Sequence, residues 1–141
     1  MKFLFISIIS LSLFTVSYSQ NCEQIVLDCE SLLKSSEDGD SFISDGQTYT
    51  AFLDREKAEF TTTFYGGATY RLAASAGNRE NFVIFTVKDE EGHILFTNKN
   101  YSNSPYWDFK VDTTIPVIIT TELDLDLKGT GCVVMMIGFK K

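Results

Sequence analysis

The chain of 141 residues contains a single histidine, and this scarcity argues against several kinds of enzyme. His93 stands alone in a predicted turn, whereas a zinc site needs several histidine or cysteine ligands around the metal. A nucleophilic serine or cysteine needs a base beside it, and the sequence has no GxSxG segment to hold such a nucleophile. A glycine-rich phosphate loop and an HExxH motif are also missing. We therefore expect no catalytic residues and no enzymatic activity.

The chain also lacks an apolar run of the roughly 20 residues that a membrane-spanning helix needs. Residues 3–16 are apolar apart from small hydroxyl side chains, but this segment is too short to cross a bilayer. It follows the positive charge of Lys2 and precedes small residues that end at Ser19, which is the pattern of a secretory signal peptide. We predict a signal peptide at residues 1–19, cleavage before Gln20, and a secreted or periplasmic protein with no membrane span.

Basic residues are few, with 12 lysines and arginines against 19 aspartates and glutamates. Because Lys2 is the one charged residue of the predicted signal peptide, the mature chain keeps 11 basic residues against 19 acidic ones, a net charge of −8. Such a surface repels phosphate groups, and the basic residues are scattered along the chain. We expect no nucleic-acid partner and no attachment to anionic lipid.

Three cysteines are an odd number for a compartment that permits disulfides. Cys22 and Cys29 lie in one predicted helix, which separates their sulfur atoms by about 10 Å, beyond disulfide reach. We therefore predict a disulfide from Cys132 to either Cys22 or Cys29, with the other cysteine left free. A lipid anchor on Cys22 is an alternative, but Gln20 and Asn21 stand where a lipoprotein signal has small residues.

Residues 20–46 are predicted to form a short N-terminal helix and an acidic linker. The segment NCEQIVLDCESLLK has the apolar spacing of an amphipathic helix, and Asn21 suits its N-cap. The serines, aspartates and glycine of residues 35–45 end that helix. Phe42 and Ile43 are expected to pack back onto the domain.

The remaining chain, residues 47–141, is predicted to form one β-sandwich domain. Several segments alternate apolar and polar residues, as strands with one solvent-facing side do. Gly66-Gly67 suits a two-residue hairpin turn, and Gly92 suits a left-handed position between two strands. The pattern favours an all-β, jelly-roll-like sandwich of two sheets with about eight antiparallel strands. The predicted strands are residues 48–53, 58–65, 69–75, 82–87, 94–97, 107–111, 115–123 and 132–139.

Four segments carry a resemblance to known proteins: YRLAASAG, FVIFTVKDEEGHILFTNKNY, SPYWDFKVDTTIPVIITTEL and GCVVMMIGFKK. Together they resemble an uncharacterised family of small secreted bacterial β-sandwich proteins, similar to bacterial pre-peptidase C-terminal (PPC-like) domains. The resemblance covers residues 49–141 and implies a non-catalytic β-module. It also implies a cysteine where this chain has Ser75, paired with the cysteine that matches Cys132. Since that bridge cannot form here, the resemblance leaves the partner of Cys132 open.

Aromatic side chains are the candidates for ligand binding. Tyr65, Tyr70, Tyr101, Tyr106 and Trp107 could stack on sugar rings, as aromatic residues do in carbohydrate-binding sandwiches. The strand pattern turns Tyr70 and Trp107 inward, and we expect the Trp107 indole to be buried between the sheets. Tyr101 and Tyr106 flank the loop NKNYSNSPY, and they are the predicted ligand-binding residues.

Two acidic groups are candidates for calcium, the one metal that the residue types would suit. They are Asp38, Asp40 and Asp45 in the linker, and Glu122, Asp124 and Asp126 at the end of a strand. Neither group matches an EF-hand loop, because the glycine and the distal glutamate are misplaced. A solvated linker and a solvated strand face are the simpler interpretation, so we expect no cofactor.

The sequence favours a secreted, non-catalytic module that binds a glycan or an extracytoplasmic protein. The alternative is a small extracytoplasmic hydrolase, in which Asp108 and Asp112 would form a pair of catalytic carboxylates. With 19 acidic residues in one small domain, such pairs are expected from number alone. A concave, aromatic-lined groove on the folded domain would favour the binding module.

Overall fold

The computed structural model describes residues 22–35, 41–77 and 81–140. Over these residues the chain forms one α-helix, eight strands and a short 3-10 helix at Asn98–Tyr101. In chain order the elements are α1 (Cys22–Lys34), β1 (Ile43–Asp54), β2 (Lys57–Phe64), β3 (Ala68–Ser75), β4 (Val83–Lys88), β5 (Ile94–Thr97), β6 (Tyr106–Val111), β7 (Ile115–Leu123) and β8 (Thr130–Lys140). No helix in the described ranges is long and apolar enough to cross a membrane.

The strands form two antiparallel sheets of four, in the orders β1-β8-β3-β6 and β2-β7-β4-β5. Within them β1 pairs with β8, β2 with β7, β3 with β6, and β4 with β5. This nested pairing is that of a long two-stranded ribbon rolled up on itself, which is a jelly roll. The prediction of an all-β, two-sheet jelly-roll sandwich with a short N-terminal helix is confirmed.

The central strand β8 is covered on both faces. Its inward side chains Val133, Met135 and Ile137 lie in the core between the sheets. Its outward side chains Val134 and Met136 are buried in a second apolar cluster beneath the helix. Burial on both sides explains why this strand is apolar throughout and shows no alternation.

The strand β1 begins at Ile43, inside the segment predicted as linker. Ile43 and Ser44 pair with β8, so the sandwich domain starts earlier than the predicted residue 47. Phe42 is buried as expected, but the Ile43 side chain is 63% exposed and does not pack back onto the domain. The predicted N-cap, Asn21, lies outside the described residues.

The predicted hairpin at Gly66-Gly67 is wrong. The flanking strands β2 and β3 belong to different sheets, so this turn carries the chain across the sandwich. Gly67 has a φ of 89°, so the two glycines do mark a turn, as predicted. They do not show which strands the turn joins. Gly92, with a φ of 86°, does join two paired strands, β4 and β5, as predicted.

The helix α1 lies on the outer face of the first sheet, against β8 and β3. Its buried side chains, Ile25, Cys29 and Leu33, recur every four residues and form one apolar stripe. A disulfide joins Cys22 to Cys132, whose Cα atoms are 5.9 Å apart. Of the two partners predicted for Cys132, the structure therefore pairs Cys22, and Cys29 is a free, buried thiol.

Two close contacts seat this helix on the sheet. A Cβ atom added to Gly138 of β8 would lie 2.8 Å from Leu33 Cδ1, so a side chain at this position would push the helix away. Cys29 Sγ donates a hydrogen bond to the carbonyl oxygen of Ala73 in β3 at 3.2 Å. Desolvation by burial raises the pKa of the Cys29 thiol to about 12.

Arg71 of β3 connects the C-terminal end of the helix to the sheet. Its Nε and Nη2 atoms donate to the two carboxylate oxygens of Asp108 at 2.7 and 2.9 Å. Its Nη1 atom donates to the carbonyl oxygens of Leu32, at 3.2 Å, and Ser35. The ring of Phe42 lies 4.3 Å from the guanidinium carbon. One side chain that is 5% exposed therefore holds the sheet, the helix end and the following chain together.

Candidate ligand-binding groove

A groove opens between β1 and β2, the free edges of the two sheets on one side of the sandwich. The rings of Tyr49 and Phe60 stack between these strands, with their centroids 4.0 Å apart. Toward the start of β1 and the end of β2, the two edges enclose a groove of about 470 Å³. This volume lies within the range of small-ligand sites, roughly 300 to 1,000 Å³.

The floor of the groove is aromatic and apolar. Tyr70 stacks on Phe64 at 4.6 Å between ring centroids, and Phe139 lies 6.3 Å from Tyr70. Ile137 completes this floor, which belongs to the inner faces of β3 and β8. The Tyr70 hydroxyl accepts a hydrogen bond from the backbone N–H of Tyr65 at 3.0 Å. The groove therefore reaches the hydrophobic core and carries one polar group at its base.

Tyr65, in the turn after β2, forms an exposed wall of the groove. Its side chain is 63% exposed, although its backbone is held by Tyr70. The next residue, Gly66, donates its N–H to Thr114 Oγ1 at 3.0 Å. A Cβ atom on Gly66 would lie only 2.6 Å from the carbonyl oxygen of Asp112, so this turn is pressed against the chain between β6 and β7. The ring of Tyr65 is thus presented on a rigid turn.

A bulge in β1 forms a polar rim of the groove. Ser44 and Thr48 are four residues apart, yet their partners in β8 are two residues apart, so β1 carries two extra residues. Gly46 in this bulge has a φ of 86°, and Asp45 Oδ1 accepts the backbone N–H of Gln47 at 2.9 Å. Bulges at sheet edges redirect side chains. Here Asp45 and Gln47 line the groove.

The charged lining of the groove is acidic. Among the described residues that line it, Asp45 is the one charged side chain. Desolvation raises the pKa of Asp45, although the hydrogen bond from the Gln47 N–H opposes this rise. Desolvation also raises the pKa of Tyr49, and the charge of Asp45 adds to that effect. An anionic ligand would meet an unfavourable potential in this groove.

The structure separates the two predicted ligand-binding tyrosines. Tyr101 is half-exposed beside Trp107, with ring centroids 4.4 Å apart. Tyr106 precedes Trp107 in β6 and therefore points to the opposite face of the sheet. Its ring lies 4.4 Å from the guanidinium carbon of Arg71 and packs against the cluster under the helix. The structure therefore does not bring the two predicted ligand-binding tyrosines together, and Tyr106 is packed beneath the helix.

Trp107 points inward between the sheets, as expected, but its burial is less complete than expected. Trp107 shares the inward face of β6 with Phe109 and Val111, which packs against the core. It is only half-buried, because β6 and β5 are the free edges on the second side of the sandwich. Phe96 of β5 stacks on its ring at 4.9 Å. This aromatic cluster closes the side opposite the groove.

Two of the three strand-end carboxylates proposed for calcium, those of Glu122 and Asp124, have protein partners. Glu122 forms an ion pair with Lys57 at 2.9 Å. Asp124 accepts hydrogen bonds from Asn103 Nδ2 at 2.8 Å and from the Asp126 backbone N–H at 3.1 Å. These contacts shape the turn between β7 and β8, and they do not bring the three carboxylates together around one point.

The other acidic candidates are divided between the linker and the groove. Asp38 and Asp40 lie outside the described residues, and Asp45 lines the groove. One set of described residues has metal-ligand atoms within 4.8 Å of one another: Asp89, Glu91 and His93. Asp89 accepts the backbone N–H of His93 at 2.8 Å, so this cluster shapes the exposed turn between β4 and β5.

Sequence reasoning did not select the residues that form the groove. Tyr65 and Tyr70 were considered among the aromatic residues, but Gln47 and Tyr49 were not. The available signal was the placement of Tyr65 directly before two glycines, which marks an exposed turn. The chain matches no protein-family model, no curated protein and no solved structure. The fold and the groove define a jelly-roll sandwich with an aromatic-lined groove between two free edges.

Proposed function

We propose that the mature protein is a secreted, non-catalytic binding module whose ligand, a glycan or an extracytoplasmic protein, occupies the groove between β1 and β2. The observation that carries this proposal is that the exposed Tyr65 lines the same groove as Asp45 and Gln47. An apolar cleft with a few placed polar groups has the usual composition of a ligand site.

The extracytoplasmic location rests on two features of the chain. Residues 1–19 have the pattern of a cleavable signal peptide. The disulfide between Cys22 and Cys132 is of a kind that persists in oxidising compartments. Mass spectrometry of the exported protein should therefore find a chain that begins at Gln20, and a chain that begins at Met1 would contradict the proposal.

We propose a non-catalytic module because of the residues that line the groove. Glycoside hydrolysis uses two carboxyl groups about 5 to 9.5 Å apart, and Asp45 is the one carboxylate among the described lining residues. Asp108, considered for a hydrolase, binds Arg71 through both oxygens. The resemblance to PPC-like domains also implies a non-catalytic module.

Binding by the mature chain tests the proposal, with Tyr65→Ala as the groove variant and Tyr101→Ala as its control. Both tyrosines are exposed, but Tyr101 lies on the other side of the sandwich. We expect a glycan array, or a pull-down of extracytoplasmic proteins, to identify a ligand of the wild type and of Tyr101→Ala. Tyr65→Ala should lose at least about fivefold in affinity, since aromatic contacts contribute about 1 kcal/mol or more.

Thermal unfolding of each variant controls for loss of fold. Tyr65→Ala should unfold close to the wild-type temperature, because the ring it removes is mostly exposed. A folded Tyr65→Ala variant that binds as well as the wild type would refute the groove as the binding site.

A further inference from the structure

We propose that the groove binds a neutral sugar residue, with one face of its ring on Tyr65 and its hydroxyl groups on Asp45 and Gln47. This inference rests on the proposed binding function and specifies its ligand. It chooses a glycan over a protein, and an uncharged glycan over an acidic or a cationic one.

The shape of β1 disfavours a peptide ligand. An extended peptide binds at a free edge by adding a strand, which needs a regular row of backbone N–H and C=O groups. The two extra residues between Ser44 and Thr48 interrupt this row beside the groove. At the β1 edge, side chains and not the backbone ladder therefore provide the contacts. A groove of about 470 Å³ has room for about one or two sugar rings.

The composition of the groove matches the two surfaces of a sugar ring. Tyr65 offers an exposed aromatic face to the C–H groups of such a ring. An ionised carboxylate has about four acceptor positions, and the Gln47 N–H occupies one of those on Asp45. The Gln47 side-chain amide can both donate and accept. Neighbouring hydroxyl groups of a sugar can therefore be bound from this rim.

The electrostatics disfavour an anionic ligand, and the stacking of the groove's aromatic rings disfavours a cationic one. Among the described lining residues there is no lysine or arginine to pair with a uronate, sulfate or phosphate, and Asp45 repels such groups. A cationic ligand is best held in a cage of free aromatic faces. Tyr49 and Tyr70 do not supply one, because Phe60 and Phe64 each cover a face of their rings.

The test compares oligosaccharides that share length and linkage but carry neutral, amine-bearing or carboxylate-bearing sugars. Their affinities for the wild-type mature chain are measured by calorimetry, together with those for Tyr65→Phe, Tyr65→Ala and Asp45→Asn. We expect the wild type to bind a neutral series and to bind its carboxylate-bearing form at least tenfold more weakly. Tyr65→Phe should keep this binding, Tyr65→Ala should lose it, and Asp45→Asn should reduce the discrimination against the acidic form.

The remaining outcomes test the neutral-sugar inference and the proposed function separately. Equal or tighter binding of the acidic series, or a tenfold preference for the amine-bearing series that Asp45→Asn removes, would overturn the neutral-sugar inference. Binding of a protein that depends on Tyr65, without binding of any glycan, would also overturn it but would leave the proposed function intact. If no glycan or protein binds in a manner sensitive to Tyr65→Ala, both the inference and the proposed function are wrong.

Discussion

Replacing Arg71 by methionine should detach the C-terminal end of α1 from the sheet. Methionine keeps an unbranched apolar side chain but has no guanidinium group. The change removes both hydrogen bonds to Asp108 and those to the carbonyl oxygens of Leu32 and Ser35. It also removes the cation over the ring of Phe42. The expected result is a less stable domain with the same fold.

The size of this effect follows from the burial of Arg71. A hydrogen bond to a charged group contributes about 1.5 to 3 kcal/mol, and a buried carbonyl left without a partner costs about 1 to 3 kcal/mol. These terms are not additive, and the Asp108 side chain is 39% exposed, so water replaces part of what it loses. We expect the free energy of unfolding to fall by about 3 to 5 kcal/mol. Domains commonly have about 5 to 15 kcal/mol in total.

Urea unfolding followed by the fluorescence of Trp107 measures this loss. The matched control is Lys57→Met, which removes a cation from an exposed ion pair with Glu122, where the lysine side chain is 69% exposed. We expect this control to cost less than about 1 kcal/mol, as exposed ion pairs do. If the free energy of unfolding of Arg71→Met lies within about 1 kcal/mol of the wild-type value, Arg71 does not hold the helix end, because breaking a buried pair should cost more than this.

Three further experiments test how the helix is attached. Cys22→Ser should lower the free energy of unfolding by about 4 to 5 kcal/mol, because the disulfide closes a span of 110 residues, and unchanged denaturation midpoints would contradict this. Cys29, whose pKa burial raises to about 12, should resist a maleimide at about pH 8 until denaturant is added, and rapid labelling of the native protein would show that it is not covered. Gly138→Ala should cost about 1 to 3 kcal/mol through its clash with Leu33, whereas Gly129→Ala, with no atom closer than 3.8 Å, should be nearly neutral; equal costs would refute the clash.

Some strands could be predicted from the sequence, because their own residues show which of their faces are buried. In β6, Trp107, Phe109 and Val111 alternate with Asp108 and Lys110, and the structure places the apolar set toward the core. Alternation works here because a strand turns successive side chains to opposite faces, whatever its neighbours are. The uniformly apolar β8 likewise showed that both of its faces are covered.

The groove could not be predicted, because it depends on which strands become free edges and on how far apart they lie. The serine, aspartate and glycine of residues 44–46 have the composition of a linker, yet they form a bulge once β1 pairs with β8. Tyr65 and the glycines after it have the composition of a hairpin, yet the turn crosses between sheets. The place of Tyr106 depends on Arg71, which lies 35 residues earlier in the chain. These are properties of long-range pairing and not of local sequence.

The strand β8 connects the packing of the helix to the geometry of the groove. Leu33 packs on the outer side of Gly138, while the adjacent residues Ile137 and Phe139 form part of the groove floor on the inner side. A shift of β8 that relieves a clash at Gly138 must therefore move this floor as well. We expect Gly138→Ala to weaken ligand binding under conditions in which the variant is fully folded. Cys22→Ser alters the opposite end of β8, and it should leave the affinity unchanged even though it costs more stability. If both variants bind the ligand equally well when folded, the outer packing of β8 does not control the groove.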